Sequence, residues 1–409
     1  MEFLTVVYLV YIFIALYFLS LFALIYIQNK KNLFSQKEIT NEYSLDVVIP
    51  CYNKEKNISK TIQFLLDSDY PYLKKIFVVD DCSTDNSWSI IKKFARENSR
   101  VIALQTPKNT GKASGAKNYG AKFANSDLIG FVDADSYPQK DAIRKMIGFF
   151  DDEKIVAVTP TILVEKKEKF IEKLQSIEYK IIAFTRKLLG CVDAIYVTPG
   201  PLAIYKKKIF DELGGFDETN LTEDIEITWH FISKGYKVGM STLSRVYTIA
   251  PDNFKEWFNQ RVRWNVGGIQ TINKYKKTFF RKGMLGRFVL PFFVLSWFLG
   301  VFGLSVLFYR TFQKIIIRYL STAYSIQAQT VILTLREINL TPNVLIFFGT
   351  ALFILSLSFT MLALSYSRDG GSKKSGLFGI LIYMFIYLLL YPVLLVTSMY
   401  KFLRGKRSW

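Results

Sequence analysis

Two aspartates one residue apart, Asp133 and Asp135, follow the apolar run 128–132. At a strand end, both carboxylates face one side of a cleft, and such a pair is costly unless a cation or hydrogen bonds offset it. Hard divalent ions take carboxylate oxygens together with phosphate oxygens. These residues therefore favour a site for a hard divalent cation, where the ion would stabilise charge developing on a leaving diphosphate. Other polar patches accompany this pair, and each also has an ordinary reading. Tyr52 and Asn53 leave the run 46–50, where a ring can stack on a base and an amide can hydrogen-bond it, or where a tyrosine simply lies on a loop. Asp80 and Asp81 end the run 75–80, and a carboxylate there can accept from the imide N–H of uracil. Ser83, Thr84 and Asp85 behind them also suit a helix cap. Lys112 sits beside Gly111 where the small-residue stretch 109–118 enters a helix. Free N–H groups at a helix start help a lysine meet an anion, although the spacing is not that of a Walker loop and a solvated lysine reads equally well. Thr222-Glu223-Asp224 opens a helix, where the dipole favours acids, or supplies a general base for an acceptor hydroxyl. Gln260, Arg263 and Trp264 follow an aromatic, charged stretch that reads as an amphipathic helix at a membrane surface. The sharper reading gives Trp264 a sugar to stack on and Arg263 a diphosphate contact.

These patches need a frame. Runs 46–50, 75–80, 101–104 and 127–133 are strand-like and alternate with helix-like stretches 58–66, 87–94 and 114–123. Strand–helix alternation predicts an α/β domain with a mostly parallel sheet covered on both faces. Ligands bind at the carboxyl ends of such strands, which is where Asp80, Asp81, Asp133 and Asp135 fall. A further helix is expected over 225–233, carrying His230 as a packed or surface residue.

The rest of the chain is apolar. Half of its 409 residues are hydrophobic, yet its formal net charge is +19. Residues 3–27 carry no charge and are long enough to span a bilayer. No small-residue cleavage site follows, so an uncleaved helix is expected rather than a signal peptide, and Lys30 and Lys31 place its end in the cytoplasm. Runs 288–309, 344–366 and 377–400 predict three further spans, two of them kinked at Pro291 and Pro392. Four spans put the basic tail 401–409 outside, against the positive-inside tendency. Either 315–335 also inserts or the last run is a re-entrant hairpin around Pro392. The basic charge is spread without regularly spaced base-reading side chains, which argues against nucleic acid. Cys51, Cys82 and Cys191 stand apart, so neither a disulfide framework nor a cysteine metal site is expected.

Together the patches resemble the membrane-embedded processive family 2 glycosyltransferases, the synthases of poly-N-acetylglucosamine, hyaluronan, chitin oligosaccharide and cellulose. The resemblance covers about 46–264, with Gly111-Lys112-Ala113, Asn118, Gly120, Gly214-Gly215-Phe216-Asp217 and Thr198-Pro199-Gly200-Pro201-Leu202 as further agreeing pieces. It implies a Rossmann-like nucleotide-sugar-binding domain of GT-A type inserted between transmembrane helices. The expected divisions are a helix at 1–28, a cytoplasmic catalytic domain at 41–250, interface helices at 251–284 and a membrane region of about three spans at 285–409. By resemblance, Tyr52 and Asp81 would hold uracil, Lys112 would lie near the phosphates and Asp133 would contact the nucleotide. Asp135 would bind Mg2+ or Mn2+, and Asp224 would be the base of an inverting transfer. Gln260, Arg263 and Trp264 would hold diphosphate and the acceptor's terminal sugar, and Gly200 would line the acceptor entrance. The implied reaction extends a β-linked polysaccharide from a UDP-sugar, UDP-GlcNAc favoured, at a multi-pass cell-membrane site with room for an accessory membrane subunit. Transfer of one sugar to a lipid acceptor is the alternative. Two departures stand out: one span precedes the catalytic block where many relatives have two, and His230 stands where Arg or Lys is expected.

Overall fold

The computed structural model describes residues 3–281, 283–329, 344–366 and 376–405. It opens with α1 (Phe3–Asn29), then alternates β1 (Leu45–Cys51), α2 (Ile58–Leu66), β2 (Leu73–Asp80), α3 (Ser87–Glu97), β3 (Val101–Gln105), α4 (Ala113–Ala121) and β4 (Leu128–Phe131). β5 (Ser136–Pro138), α5 (Arg144–Ile147), β6 (Ile155–Val164) and α6 (Phe170–Gly190) follow. β7 (Ala203–Lys206), α7 (Lys207–Glu212), α8 (Glu223–Ser233), β8 (Lys237–Thr248) and α9 (Phe254–Tyr275) complete the block.

The strands form one sheet in the order β3-β2-β1-β4-β7-β6-β8-β5. Its first half is the parallel sheet that the sequence pattern predicts: β3, β2, β1 and β4 all run the same way. The second half differs, because β7 is antiparallel to both β4 and β6, and β5 is antiparallel to β8. β6 and β8 run parallel to each other and in the direction of β1–β4, so the sheet is mostly parallel, as expected, with β7 and β5 reversed. β7 is joined to β6 through the long α6, and the polypeptide returns in the opposite sense. β1 is buried along its whole length, as a strand covered on both faces must be. One apolar cluster, with Val47, Ile49 and Ile76, packs on one side of the sheet; another, with Val48, Phe131 and Tyr205, packs on the other.

Among the described residues four helical segments are long and apolar enough to cross a membrane: Val6–Asn29, Leu285–Gln327, Phe347–Tyr366 and Leu377–Leu403. The second is a π-helical turn (Leu285–Val289) running into α10 (Leu290–Gln327). α11 (Val344–Tyr366) is the third, and α12 (Leu377–Ile382), a π turn (Tyr383–Tyr387) and α13 (Leu390–Leu403) form the fourth. The stretch 315–327 is a continuation of α10, while 330–335 lies outside the described residues. At 38 residues, α10 is about 57 Å long against a hydrocarbon core of about 30 Å, so its basic part with Arg310, Lys314 and Arg318 reaches past a bilayer. The last run is a single helical segment, Leu377–Leu403, rather than a hairpin at Pro392. Pro291 and Pro392 each lie in the first turn of a helix that follows a π turn. A proline in the first turn of an α-helix is tolerated there, because the N–H it lacks has no partner within that helix.

α6 and α9 join the two parts. α6 packs on β6 and β8 and also on α1 and α11; α9 packs on α8 and α13.

Candidate functional site

Register sets the site. β1 pairs with β2 as far as Cys51 opposite Asp80, and with β4 as far as Val48 opposite Phe131. Tyr52, Asp81 and Asp133 therefore leave the sheet at one edge.

Tyr52 is 48% exposed there. Asn53 is turned to φ 51° and accepts from the Thr84 N–H at 2.8 Å, so its amide shapes the turn. The Asp81 carboxylate is buried and taken up by its own loop: Thr106 donates at 2.7 Å, and Thr110 donates from its hydroxyl at 2.8 Å and its N–H at 3.0 Å. Asp80 is buried too, but only its Oδ2 is met, by Gln105 at 2.9 Å and the Ser83 N–H. Its Oδ1 has no hydrogen-bond partner among the described residues, and a buried acceptor left this way is unusual.

Asp133 and Asp135 flank Ala134 after β4. Asp133 lies against Gly200: a Cβ on that glycine would stand 2.4 Å from Asp133 Oδ2, so only glycine allows the approach. The Asp133 N–H also donates to the Gly200 carbonyl at 3.0 Å. Asp135 Oδ2 accepts from Lys54 at 2.6 Å. Burial pulls the Lys54 ammonium down, and Asp135 more than restores it, so its net shift is upward.

A lysine that the motifs did not single out is central. Lys117, whose side chain is 3% exposed, lies 2.9 Å from Glu223 Oε1 and 3.5 Å from Asp133 Oδ1. α4 is built mostly from small residues (Ala-Ser-Gly-Ala-Lys-Asn-Tyr-Gly-Ala) and hugs the sheet, so a lysine within it has little route to solvent. Burial opposes its charge, yet Glu223 and Asp133 hold it well above the ordinary lysine value. Lys112, expected near the phosphates, donates to the carbonyls of Glu218 and Thr219 at 2.9 and 3.0 Å. Asn118 clasps the same segment, exchanging hydrogen bonds with the Phe216 N–H and carbonyl.

That segment leads to α8 and Asp224. Against the upward pull of burial, Lys117 keeps Glu223 below the usual carboxylate range. Asp224 goes the other way: burial, and then the neighbouring Glu223 charge, push it up to about 7, with Lys117 opposing. A carboxyl near neutrality is poised to take a proton at physiological pH. His230 lies half-buried farther along α8.

α9 holds this helix start from above. A Cβ at Gly267 would come within 2.2 Å of Thr222 Oγ1, so the glycine is needed for the close approach. Gln270 accepts from the Leu221 N–H at 2.9 Å, Asn220 donates to Thr271 at 2.9 Å, and Lys274 bridges Asp217 and Glu226. On α9, Arg263 is exposed, while Gln260 and Trp264 are half-buried. Between them Arg261 is fully buried. It meets Glu178 of α6 at 2.6 and 3.1 Å and lies 4.1 Å from the Trp264 ring centre. Arg186 of α6 is also buried, with an Nε that has no partner among the described residues; burial lowers its pKa, and Tyr196 and Asp224 oppose that.

Among the described residues no group of three or more His, Cys, Asp or Glu side chains gathers for an ion. Asp133 and Asp135 supply two hard oxygen donors and leave other positions to phosphate and water, a set that suits Mg2+ or Mn2+ rather than a closed protein cage.

Residues 46–214 match the family Glycosyl transferase family 2. Over 233 residues the chain is 31% identical to the poly-beta-1,6-N-acetyl-D-glucosamine synthase of Staphylococcus aureus (strain COL), the match covering 55% of this chain and 54% of that one. The enzyme of that name from Staphylococcus epidermidis is 29% identical over 231 residues, covering 56% and 55%. The match thus spans about half the length of these curated relatives. Among solved structures, a mannosyltransferase from Pyrobaculum calidifontis in complex with GDP-Man and Mn2+ aligns with 97% of this chain and 99% of its own, at a TM-score of 0.56 and 16% identity. That likeness is one of fold, and it includes the flanking helices. Residues 46–214 thus match the family 2 glycosyl transferases within an α/β domain of GT-A fold, and among the described residues four helices are long enough to cross a membrane.

Proposed function

We propose that the protein is an inverting glycosyltransferase that extends a β-linked polysaccharide from a UDP-sugar at the cytoplasmic face of the membrane, with UDP-GlcNAc as donor. The observation that supports the polymer reading is a cavity of about 620 Å³ among the apolar helices that reaches α9 at Asn265. It is lined by Asn265 of α9, the neighbour of Trp264, together with Tyr391, Tyr8 and Tyr11 of α1 and Trp297 and Gly303 of α10. A sugar stacked on Trp264 would have this space ahead of it, between helices of the membrane part.

The donor's uracil would lie at Tyr52 beside Asp80 and Asp81. Asp133 and Asp135, with Lys112 and Arg263 nearby, would face its diphosphate. A Mg2+ or Mn2+ ion held by Asp135 would neutralise charge on that diphosphate. Asp224 would take the proton of an acceptor hydroxyl held by Gln260, Trp264 and the Gly200 loop. The acceptor oxygen then bonds to the anomeric carbon as the carbon–oxygen bond to UDP breaks on the opposite face, which inverts that centre. Lys30 and Lys31 after α1 support the cytoplasmic placement. On this reading a helix at 1–28, a catalytic domain at 41–250, interface helices at 251–284 and a membrane region at 285–409 divide the work.

The test uses the full chain in nanodiscs with radiolabelled UDP-GlcNAc. UDP release together with long polymer is expected, and Asp224→Asn should abolish both; UDP release that survives this change would remove Asp224 from the role of base. The cavity's largely apolar lining also suits a lipid chain, which favours transfer of one sugar to a lipid acceptor as the second reading. A solvent-extractable product carrying one sugar, with no polymer, would select it.

A further inference from the structure

Glu178 accepts from four groups. Arg261 meets its two oxygens from Nε and a terminal nitrogen at 3.1 and 2.6 Å, Tyr387 donates at 2.6 Å, and Tyr391 donates to the other oxygen. Glu178 and Arg261 are each 2% exposed in their side chains. Burial pulls the Arg261 guanidinium down, but Glu178 raises it above the ordinary arginine value. Leaving one partner of such a pair buried alone is costly, so both must be kept or both replaced. The tyrosines belong to the last membrane segment: Tyr387 closes the π turn and Tyr391 stands in the first turn of α13. Trp257 of α9 in turn donates to the Tyr387 hydroxyl.

Arg261 faces the site as well. Its other terminal nitrogen donates to Gln260 Oε1, and its guanidinium is 4.1 Å from the Trp264 ring centre, within cation–π range. Gln260 and Trp264 are thus fixed by one guanidinium, and that guanidinium is fixed by one carboxylate anchored to the last membrane helix. We propose that Glu178 and Arg261 form a positioning relay that sets Gln260 and Trp264 for the acceptor sugar and couples their placement to Tyr387 and Tyr391 of the final membrane segment. Neither relay residue needs to touch substrate. The assignment rests on the proposed acceptor role of Trp264.

The test measures initial rates of the full chain in nanodiscs with UDP-GlcNAc and a short β-linked N-acetylglucosamine oligosaccharide. Trp264→Ala comes first: a raised KM for the oligosaccharide is required by the acceptor role, and an unchanged value would overturn that role itself. Given that rise, Glu178→Gln should raise the oligosaccharide KM about tenfold, with the KM for UDP-GlcNAc changed less than about twofold, the signature of loosened acceptor binding alone. Tyr391→Phe and Tyr387→Phe, which each remove one hydroxyl, should give smaller shifts of the same kind and decide the matter if Glu178→Gln does not fold. In the Trp264→Ala background the Glu178→Gln change should add less than it does in the parent, keeping only the part that acts through Gln260. Equal movement of both KM values, no movement of either, or full additivity with Trp264→Ala would overturn the relay.

Discussion

Lys117 donates to Glu223 across 2.9 Å and so ties α4 on the sheet to the start of α8, where Asp224 sits. Lys117 also faces Asp133, so one buried ammonium balances acids from two different parts of the site. Lys117→Met should therefore do more than lower activity. Breaking a buried pair by removing one partner costs about 3 to 5 kcal/mol, and Asp133 and Glu223 would lose their shared counter-charge. A lower unfolding midpoint in detergent and loss of UDP release are expected. Lys117→Met combined with Glu223→Gln should recover part of the stability and none of the activity. A double variant no more stable than the single one would deny the pairing.

Asp224 predicts a pH profile. As a base it must be deprotonated, and its burial beside Glu223 puts its pKa at about 7. UDP release should therefore rise with pH and level off above neutrality. Glu223→Gln removes the charge that pushes Asp224 up, so the acidic limb should move to lower pH in that variant. An unmoved limb would mean that another group controls it. Stability follows the opposite trend. The folded carboxyl is raised above its unfolded value, so its contribution is complete below the unfolded pKa, about 3.9, and is lost as pH rises through about 7.

Much of this site is legible in the sequence, because strand ends and helix starts are local. Buried apolar runs followed by acids put Tyr52, Asp81 and Asp133 at one edge, and Thr222 to Asp224 opens a helix as its composition suggests. What is not legible is pairing at long range. Lys117 and Glu223 are 106 residues apart, and Glu178 and Tyr391 are 213 apart; no periodicity links them. Lys117 left a faint signal as the one charge in a helix of mostly small residues. The reversal of β7 left none, since a strand's direction depends on where the connection before it ends. Asp80 and Asp81 look equivalent in sequence, and only the threonines of the neighbouring loop separate an acid that is fully engaged from one with a free oxygen.

Gly200 tests the carboxylate geometry. An added methyl would overlap the Asp133 carboxylate at 2.4 to 2.8 Å, and the glycine lies in an irregular loop that cannot yield without moving Pro199 and Pro201. Gly200→Ala should displace Asp133, raise the KM for the UDP-sugar by at least about tenfold and leave the fold intact, since the cost falls on a cleft side chain rather than the core. A donor KM within about twofold of the parent value would show that Asp133 does not need its present position.

Lys54 and Asp135 set up the last prediction. Their 2.6 Å contact places an ammonium on the carboxylate assigned to the divalent ion. A cation held there must displace or share with Lys54, so chelation with EDTA should abolish UDP release, and added Mn2+ or Mg2+ should restore it. Asp135→Asn removes the charge that either cation needs and should raise the Mn2+ concentration for half-activation by about tenfold or more, as loss of a charged ligand oxygen weakens hard-cation binding. Lys54→Met frees the carboxylate, and the half-activating Mn2+ concentration should fall. That downward shift is the discriminating result, because damage to the site would raise the value instead. Activity insensitive to EDTA, with both variants unchanged in Mn2+ response, would leave Lys54 itself as the cation that Asp135 serves.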